Sequence, residues 1–331
     1  MPSIHVRKGW AIAERDLTPE SVYVNRREIL KGLGFTGLGL AALMAGCGTD
    51  KVDAQGELVW KPTGVPSNNP NAALYPAKRN PKYVLDRPLT AEKPTATYNN
   101  YYEFTTDKGG VWKLAEGFQA RTRPWHVEVT GLVEHPGKFS IDDLVKEFGV
   151  EERTYRHRCV EAWAMAVPWT GFPFSKLLAK VQPKSEATHV RTVTYLDKEH
   201  APGQKSQPWY PWPYFEGLRM DEAMNELTFV ATGIYGHELP AQNGAPWRLT
   251  TPWKYGYKSI KAIVKIELVN KQPATFWNQV APLEYSFLSN VDPTKPHPRW
   301  SQAHEKLIDT GETVPTQPFN GYGDFVAKMY A

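Results

Sequence analysis

Apolar and polar residues alternate through Trp125-His126-Val127-Glu128-Val129 and stop at Thr130-Gly131, a period of two that predicts a strand. The period then changes. Ser140 is placed to cap a helix, Asp142 and Asp143 fall in its first turn, Leu144, Val145 and Phe148 recur at helical spacing, and Gly149 ends it. Residues 154–158 read as a short strand that delivers Cys159 at its end. Phe174, Leu177, Leu178 and Val181 sit at i, i+3, i+4 and i+7, one apolar helix face closed by Gln182-Pro183. Residues 189–196 alternate again as a strand. A short helix is predicted over 218–225, and strands over 227–234 and 247–251. Ile260, Ala262, Val264, Ile266 and Leu268 share one face of a long strand, opposite Lys261, Lys265 and Glu267. Strands interleave with short helices without regular βα alternation, so the pattern predicts an α+β fold with mixed sheets.

The remaining stretches are loops with unusual side chains. Residues 201–217 hold Trp209, Tyr210, Trp212 and Tyr214, and ordered loops of that length often carry function. Residues 97–104 pair two asparagines with three tyrosines, and the chain beyond 270 is again rich in proline and tryptophan. Residues 49–96 carry many prolines and asparagines and read as an extended arm with a short helix, leaving 97–331 as one large domain. Residues 1–48 differ from the rest. Asn25-Arg26-Arg27-Glu28-Ile29-Leu30-Lys31 precedes an apolar, glycine-rich run over 32–45, the form of a twin-arginine export signal. That run is shorter than the roughly 20 residues a membrane span requires. The reading is a leader that sends the folded chain to the periplasm. The 25 residues ahead of Arg26 make a long leader, which leaves the true start open. Ordinary cleavage near Cys47 is the main expectation, and lipid anchoring at Cys47, after Met44-Ala45-Gly46, is the second.

Composition narrows the classes. A chain of 331 residues with 41% hydrophobic and 22% charged residues is globular. A net charge of +4 without a basic block gives no nucleic-acid footprint. There are two cysteines, and Cys47 belongs to the leader, so Cys159 has no evident disulfide partner. It stands between basic residues in Arg156-His157-Arg158-Cys159-Val160-Glu161. Two readings are open: a buried structural cysteine, or a thiolate kept for a metal. His157 shares a strand face with Cys159 and is either a second ligand or a packed neutral histidine. Gln242-Asn243-Gly244-Ala245-Pro246-Trp247-Arg248 joins a tight turn to a guanidinium, and Lys258-Ser259-Ile260-Lys261 adds amides, a hydroxyl and two ammonium groups. No CxxC pair, HExxH, EF-hand loop, GxSxG, P-loop or dinucleotide fingerprint is present. One thiolate with scattered polar, cationic loops suits a single large anionic ligand that carries a metal.

Five blocks together carry a resemblance: the twin-arginine start, Asn99-Asn100-Tyr101-Tyr102-Glu103, Arg158-Cys159-Val160-Glu161-Ala162-Trp163, Gln242-Asn243-Gly244-Ala245-Pro246, and Pro252-Trp253-Lys254-Tyr255-Gly256. The chain resembles the periplasmic protein-methionine-sulfoxide reductases, molybdopterin-containing catalytic subunits of the sulfite oxidase fold family. The resemblance implies a molybdenum–molybdopterin cofactor with Cys159 as the protein ligand of the metal. Asn99, Tyr102, Glu103, Thr194, Asn243, Arg248, Ser259, Ile260 and Lys261 match the positions that contact the pterin, with Arg248 and Lys261 near its phosphate. It implies oxygen-atom transfer from free or protein-bound methionine sulfoxide, repairing oxidised periplasmic proteins. Glu161 is the candidate proton carrier, against a role as an orienting carboxylate. Trp163, Trp169 and the Trp209–Tyr214 loop are candidates for an apolar entrance, against plain core packing. The chain shows no haem or iron–sulfur pattern of its own, and the resemblance implies a membrane haem-binding electron donor linked to quinol. Two alternatives stand beside this: a sulfite dehydrogenase of the same fold, using Arg156 and Arg158, and a non-enzymatic exported binding protein.

Overall fold

The computed structural model describes residues 68–331, which lie in one compact unit. The arginine pair and Cys47 lie outside the described residues. Among the described residues twelve strands form two mixed sheets. The first has the order β2-β1-β10-β5-β6, from Gly137–Ser140, His126–Gly131, Ile263–Val269, His189–Thr194 and Phe215–Arg219. Its β1/β10 pair is parallel and its other pairs antiparallel. The second sheet is centred on β4, Trp163–Pro173. β3, Glu151–Arg158, pairs along its whole length with one edge of β4, from Ala164 to Gly171. Its other edge is shared in turn by β11, His304–Leu307, and β7, Phe229–Ile234. β12 (Thr313–Pro315), β8 (His237–Glu238) and β9 (Arg248–Thr250) complete this sheet.

The helices form where periodicity and caps place them. In Ile141–Phe148 the Ser140 hydroxyl accepts from the Asp143 amide, and Gly149 leaves the helix at φ 66°. Phe174–Val181 buries Phe174, Leu177, Leu178 and Val181 and ends in a left-handed Gln182. These two helices pack with β1, β5 and β10 into one apolar core. The 218–225 stretch divides: β6 runs to Arg219 and a short helix covers Met220–Met224.

Two departures from periodicity have physical causes. β4 escapes a pattern reading because ten of its eleven positions are buried and both faces are covered, which removes alternation. Pro168 and Gly171 within it also argue against a strand. The long strand expected from Ile260 starts only at Ile263, and the β10/β5 register shifts between Ile263 and Lys265. Ala262, at φ 45°, turns the chain just before that point. Ile263, Ile266 and Leu268 are therefore the buried set, while Val264 is half-buried.

The arm follows β3 and β4. The Asn80 amide donates to the Glu152 carbonyl at 2.8 Å, the Glu152 amide to the Lys78 carbonyl at 2.9 Å, and the Thr90 amide to the Ala166 carbonyl at 2.9 Å. A helix at Glu92–Thr97 then delivers the Asn99–Glu103 loop to the mouth of the second sheet.

Candidate active site

β3 ends at Arg158, and the next five residues make a tight reversal. The Cys159 amide donates to the Trp163 carbonyl at 2.9 Å, the Ala162 amide to the Cys159 carbonyl at 3.1 Å, and Ala162 takes φ 64°. This reversal aims the Cys159 side chain into a cavity of about 560 Å³. His157, two residues earlier on the same strand face, lines it too. Arg156 and Arg158 take the opposite face. Arg156 pairs with Asp86, Arg158 pairs with Glu305, and neither lines the cavity.

Three loops close the cavity around the sulfur. Asn99, Asn100, Tyr102 and Glu103 come from the loop after the Glu92–Thr97 helix. Asn243 comes from the turn before β9, and Arg248 from the start of β9. Ser259, Ile260 and Lys261 lie on the stretch that enters β10. Gly244 lets the last two loops meet. Its φ is 105°, and a Cβ there would sit 2.8 Å from Lys261 Cβ and Cγ. Of the residues matched to the pterin, Thr194 alone stays off the lining: it is buried on β5, and its hydroxyl donates to the Ala262 carbonyl at 2.9 Å. Lys258 also points elsewhere, held by Glu216 at 2.7 Å in the core.

The inner end of the cavity is cationic. Arg248 is 4% exposed, donates to the carbonyls of Asn243 (2.9 Å) and Ser259 (3.0 Å), and lies 5.0 Å above the Trp169 ring. Burial pulls its guanidinium down to about 10. Lys261 donates to the Asn100 carbonyl at 2.9 Å. Burial, then repulsion from Arg248, lowers its ammonium, with Glu103 opposing. Burial also raises Glu103, opposed by Lys261. Burial, with Arg248 and Lys261 adding, holds His157 down to about 3, so its ring is neutral. Among the described residues neither Arg248 nor Lys261 forms a salt bridge.

The thiol is set against a carboxylate. Asn100 Nδ2 and the Glu161 amide each approach Cys159 Sγ at 3.4 Å. Glu161 Oε2 accepts from Asn100 (2.9 Å) and Trp163 Nε1 (3.1 Å) and pairs with Lys108 (3.1 Å). Burial alone would raise Glu161, but those three donors leave it below the ordinary carboxylate range. Cys159 goes the other way, pushed up to about 12 by burial and by Glu161. Without a metal this sulfur is a protonated, unreactive thiol. Metal-free protein treated with iodoacetamide at pH 8 is expected to label at Cys159 on the order of 100-fold more slowly than an unstructured peptide thiol. Mass mapping of the adduct measures it, and equal rates would contradict the assigned environment.

The donor set fits a molybdopterin. Asn99 and Asn243 both donate to the Thr95 carbonyl, and the side-chain carbonyls of Asn99, Asn100 and Asn243 are buried without partners. Such acceptors suit ring N–H groups. The basic side chains of Arg248 and Lys261 suit a phosphate. A lone soft thiolate suits molybdenum bound largely by the pterin's own sulfurs. Among the described residues no cluster of histidine, cysteine and carboxylate could hold a bare metal ion.

Residues 115–277 match the family described as oxidoreductase molybdopterin binding domain. Three relatives carry the name protein-methionine-sulfoxide reductase catalytic subunit MsrP. The protein of Pseudomonas syringae pv. tomato is 45% identical over 96% of this chain and 94% of its own, and that of Burkholderia mallei 46% over 97% and 94%. The protein of Xanthomonas axonopodis pv. citri is 44% identical over 98% and 97%. The chain belongs to the MsrP family. A looser likeness links it to the sulfane dehydrogenase SoxCD of Paracoccus pantotrophus, at TM-score 0.41 and 18% identity over 69% of this chain and 57% of that one. MsrP membership establishes the mixed-sheet molybdopterin fold and the molybdopterin cofactor expected from the sequence blocks.

Several lining residues went unread in the sequence of this MsrP-family chain. Asn100 stood beside Asn99 in a quoted block, yet its contact with sulfur depends on the loop's fold. Lys108, Trp277, Tyr285 and Trp300 carry no local signal, since each arrives from a different stretch of chain, Trp277 from the short helix Phe276–Val280. Of the expected entrance aromatics, Trp163, Tyr210 and Tyr214 line the cavity. Trp169 lies beneath Arg248 in the core, and Trp209 is 69% exposed.

Proposed function

We infer that this chain is a molybdenum-dependent enzyme that reduces methionine sulfoxide, free or in oxidised proteins. The carrying observation is the cavity of an MsrP-family chain lined by one free thiol and two basic side chains, Arg248 and Lys261. When bound, the molybdenum–molybdopterin group would supply the two electrons that reduce the sulfoxide and the acceptor for its oxygen. The chain's own residues bind, orient and exclude water. Tyr102, Tyr210, Trp277 and Tyr285 pack edge-to-face or tilted at centroid distances of 5.2–6.1 Å, forming an aromatic lane. Flat, polarisable walls suit a sulfur-containing side chain. At the base of the lane Asn100 and Lys108 present N–H donors, and Glu161 holds both in place.

That geometry favours the orienting role for Glu161 over proton carriage, because three donors keep it ionised. Glu161→Gln is expected to lower turnover roughly 10- to 100-fold, the usual cost of losing a partner that orients ligands. Steady-state assay with a reduced dye and methionine sulfoxide measures it, and an unchanged rate would argue against the role. The same assay on the purified wild type, with molybdenum quantified, tests the function itself: sulfoxide-dependent dye oxidation by a molybdenum-containing protein supports it, and metal-free protein or a rate at background rejects it. Sulfite oxidation is expected to stay at background, since Arg156 and Arg158 are committed to Asp86 and Glu305 away from the cavity.

The reading extends to the periplasm, reached by the twin-arginine route that Arg26-Arg27 supports, and to a membrane haem-binding subunit as electron donor. Among the described residues Cys159 is the single cysteine, so this part of the chain has no iron–sulfur ligands of its own. Fractionation of cells, and activity in cells lacking such a subunit, test these two statements. Cytoplasmic enzyme would reject the first, and undiminished activity would reject the second.

A further inference from the structure

A buried charge relay runs behind the Cys159 reversal, on the side away from the cavity. Arg158 is fully buried. One guanidinium nitrogen donates to the Cys159 carbonyl, and another to Gln302 Oε1 at 2.8 Å and to the His304 carbonyl and Thr316 hydroxyl at 3.2 Å. Its Nε lies 3.0 Å from Glu305 Oε2, a fully buried ion pair. Glu305 is 1% exposed, and its other oxygen accepts from Arg87 of the N-terminal arm at 2.8 Å. The next carbonyl is gripped as well: Trp300 Nε1 and Gln302 Nε2 each donate to Val160 at 2.7 Å. Both ends of the described chain therefore converge on the backbone of one dipeptide, Cys159-Val160. Neither Arg87 nor Glu305 falls within the matched segment 115–277.

A plain fold contact would not need this arrangement. Burying a carboxylate is costly unless it is paired, and Glu305 is paired on both sides. Removing Glu305 would leave Arg158 as an uncompensated buried cation beside the carbonyl of Cys159. The Cys159 side chain has one rotatable bond before its sulfur, so a shift of that carbonyl moves the thiolate directly. We propose that Glu305 is a positioning residue for the metal ligand: it fixes Arg158, which fixes the Cys159 backbone and thus the direction of its sulfur. The inference rests on Cys159 as the molybdenum ligand.

The test uses purified holoenzyme of Glu305→Gln, which keeps the shape and removes the charge. It reads molybdenum content, the paramagnetic resonance of the one-electron-reduced metal, kcat and KM for methionine sulfoxide, and melting temperature. The expected result is retained metal, a shifted or heterogeneous resonance, kcat lowered about tenfold and KM within about twofold, the pattern of a misdirected ligand with an intact lane. Glu305→Asp, which restores the charge, should recover part of both signals. A lower melting temperature with wild-type resonance and kcat would mean a merely structural residue and would overturn the proposal. Should Glu305→Gln fail to fold or load, Arg158→Lys decides: it keeps a cation for Glu305 but cannot also reach the Cys159 carbonyl. An altered resonance there supports the relay, and a wild-type one overturns it. Cys159→Ser separates the two levels. A resonance unaffected by Cys159→Ser removes the ligand assignment itself, whereas one that depends on Cys159 but ignores Glu305 and Arg158 removes only the relay.

Discussion

Cys159→Ser is expected to abolish sulfoxide reduction, with a fall of at least on the order of 100-fold, because even partners that only orient a metal ligand cost roughly 10- to 100-fold. The protein should still fold. Cys159 is 7% exposed in a hydrophobic cluster with Trp163, Met165 and Tyr255, and a hydroxyl fits that space. The Glu161 amide and Asn100 side chain that approach the sulfur can donate equally well to oxygen. Serine, however, is a hard and weakly acidic ligand, a poor match for a polarisable metal. Dye-linked turnover, molybdenum content and circular dichroism on one preparation make the comparison. Full activity in a folded Cys159→Ser enzyme would remove the sulfur from the mechanism.

Lys261→Met should act in opposite directions on the two forms of the protein. In the cofactor-free chain Lys261 is a cation in a cavity that already holds Arg248, and burial lowers its ammonium. A depressed folded-state value means the folded protein disfavours the bound proton. Its stability contribution is therefore fully present above the ordinary lysine value of 10.5 and is lost as the pH falls through the folded-state value. Near neutral pH methionine relieves that cost, and Glu103, already raised by burial, takes up a proton to replace its lost partner. The melting temperature of cofactor-free Lys261→Met should thus equal or exceed that of wild type at pH 7, and the gap should close toward pH 10.5. In the loaded enzyme the substitution removes a charged donor from an anionic group, worth about 1.5–3 kcal/mol, or roughly 10- to 150-fold in affinity. Retention of cofactor through dialysis, read as molybdenum per chain, measures this. Equal retention in both proteins would place Lys261 outside the cofactor site.

Much of the fold was legible where one face of an element is buried and the other is wet. β1, the capped helix Ile141–Phe148 and the helix Phe174–Val181 all fall where period and caps put them. β4 did not, because burial on both faces erases alternation, and it carries Pro168 and Gly171 inside. The site divides the same way. Cys159 could be singled out by elimination, and the Asn99–Glu103, Asn243–Arg248 and Ser259–Lys261 blocks by chemistry and resemblance. Within those blocks the sequence could not rank neighbours. Lys258 and Lys261 offer the same charge, but the first lies in a 3₁₀ turn paired with Glu216 while the second follows the approach into β10 and faces the cavity. Arg156 and Arg158 were equally plausible anion donors beside the sulfur until the pleat of β3 turned them to its far face.

What this sequence determined alone was its inventory: one cysteine in the folded domain, a mixed α+β order of elements, and polar loops able to take a large anion. Those follow from local rules, in which period, caps and residue chemistry need no distant partner. The tertiary structure decided which charges meet. The aromatic lane draws on loops near 102, 210 and 285 and on the helix Phe276–Val280, and the relay behind Cys159 joins Arg87 to Glu305 across more than 200 positions of chain. Such contacts depend on how two sheets close on each other, and no periodicity along the chain encodes that distance.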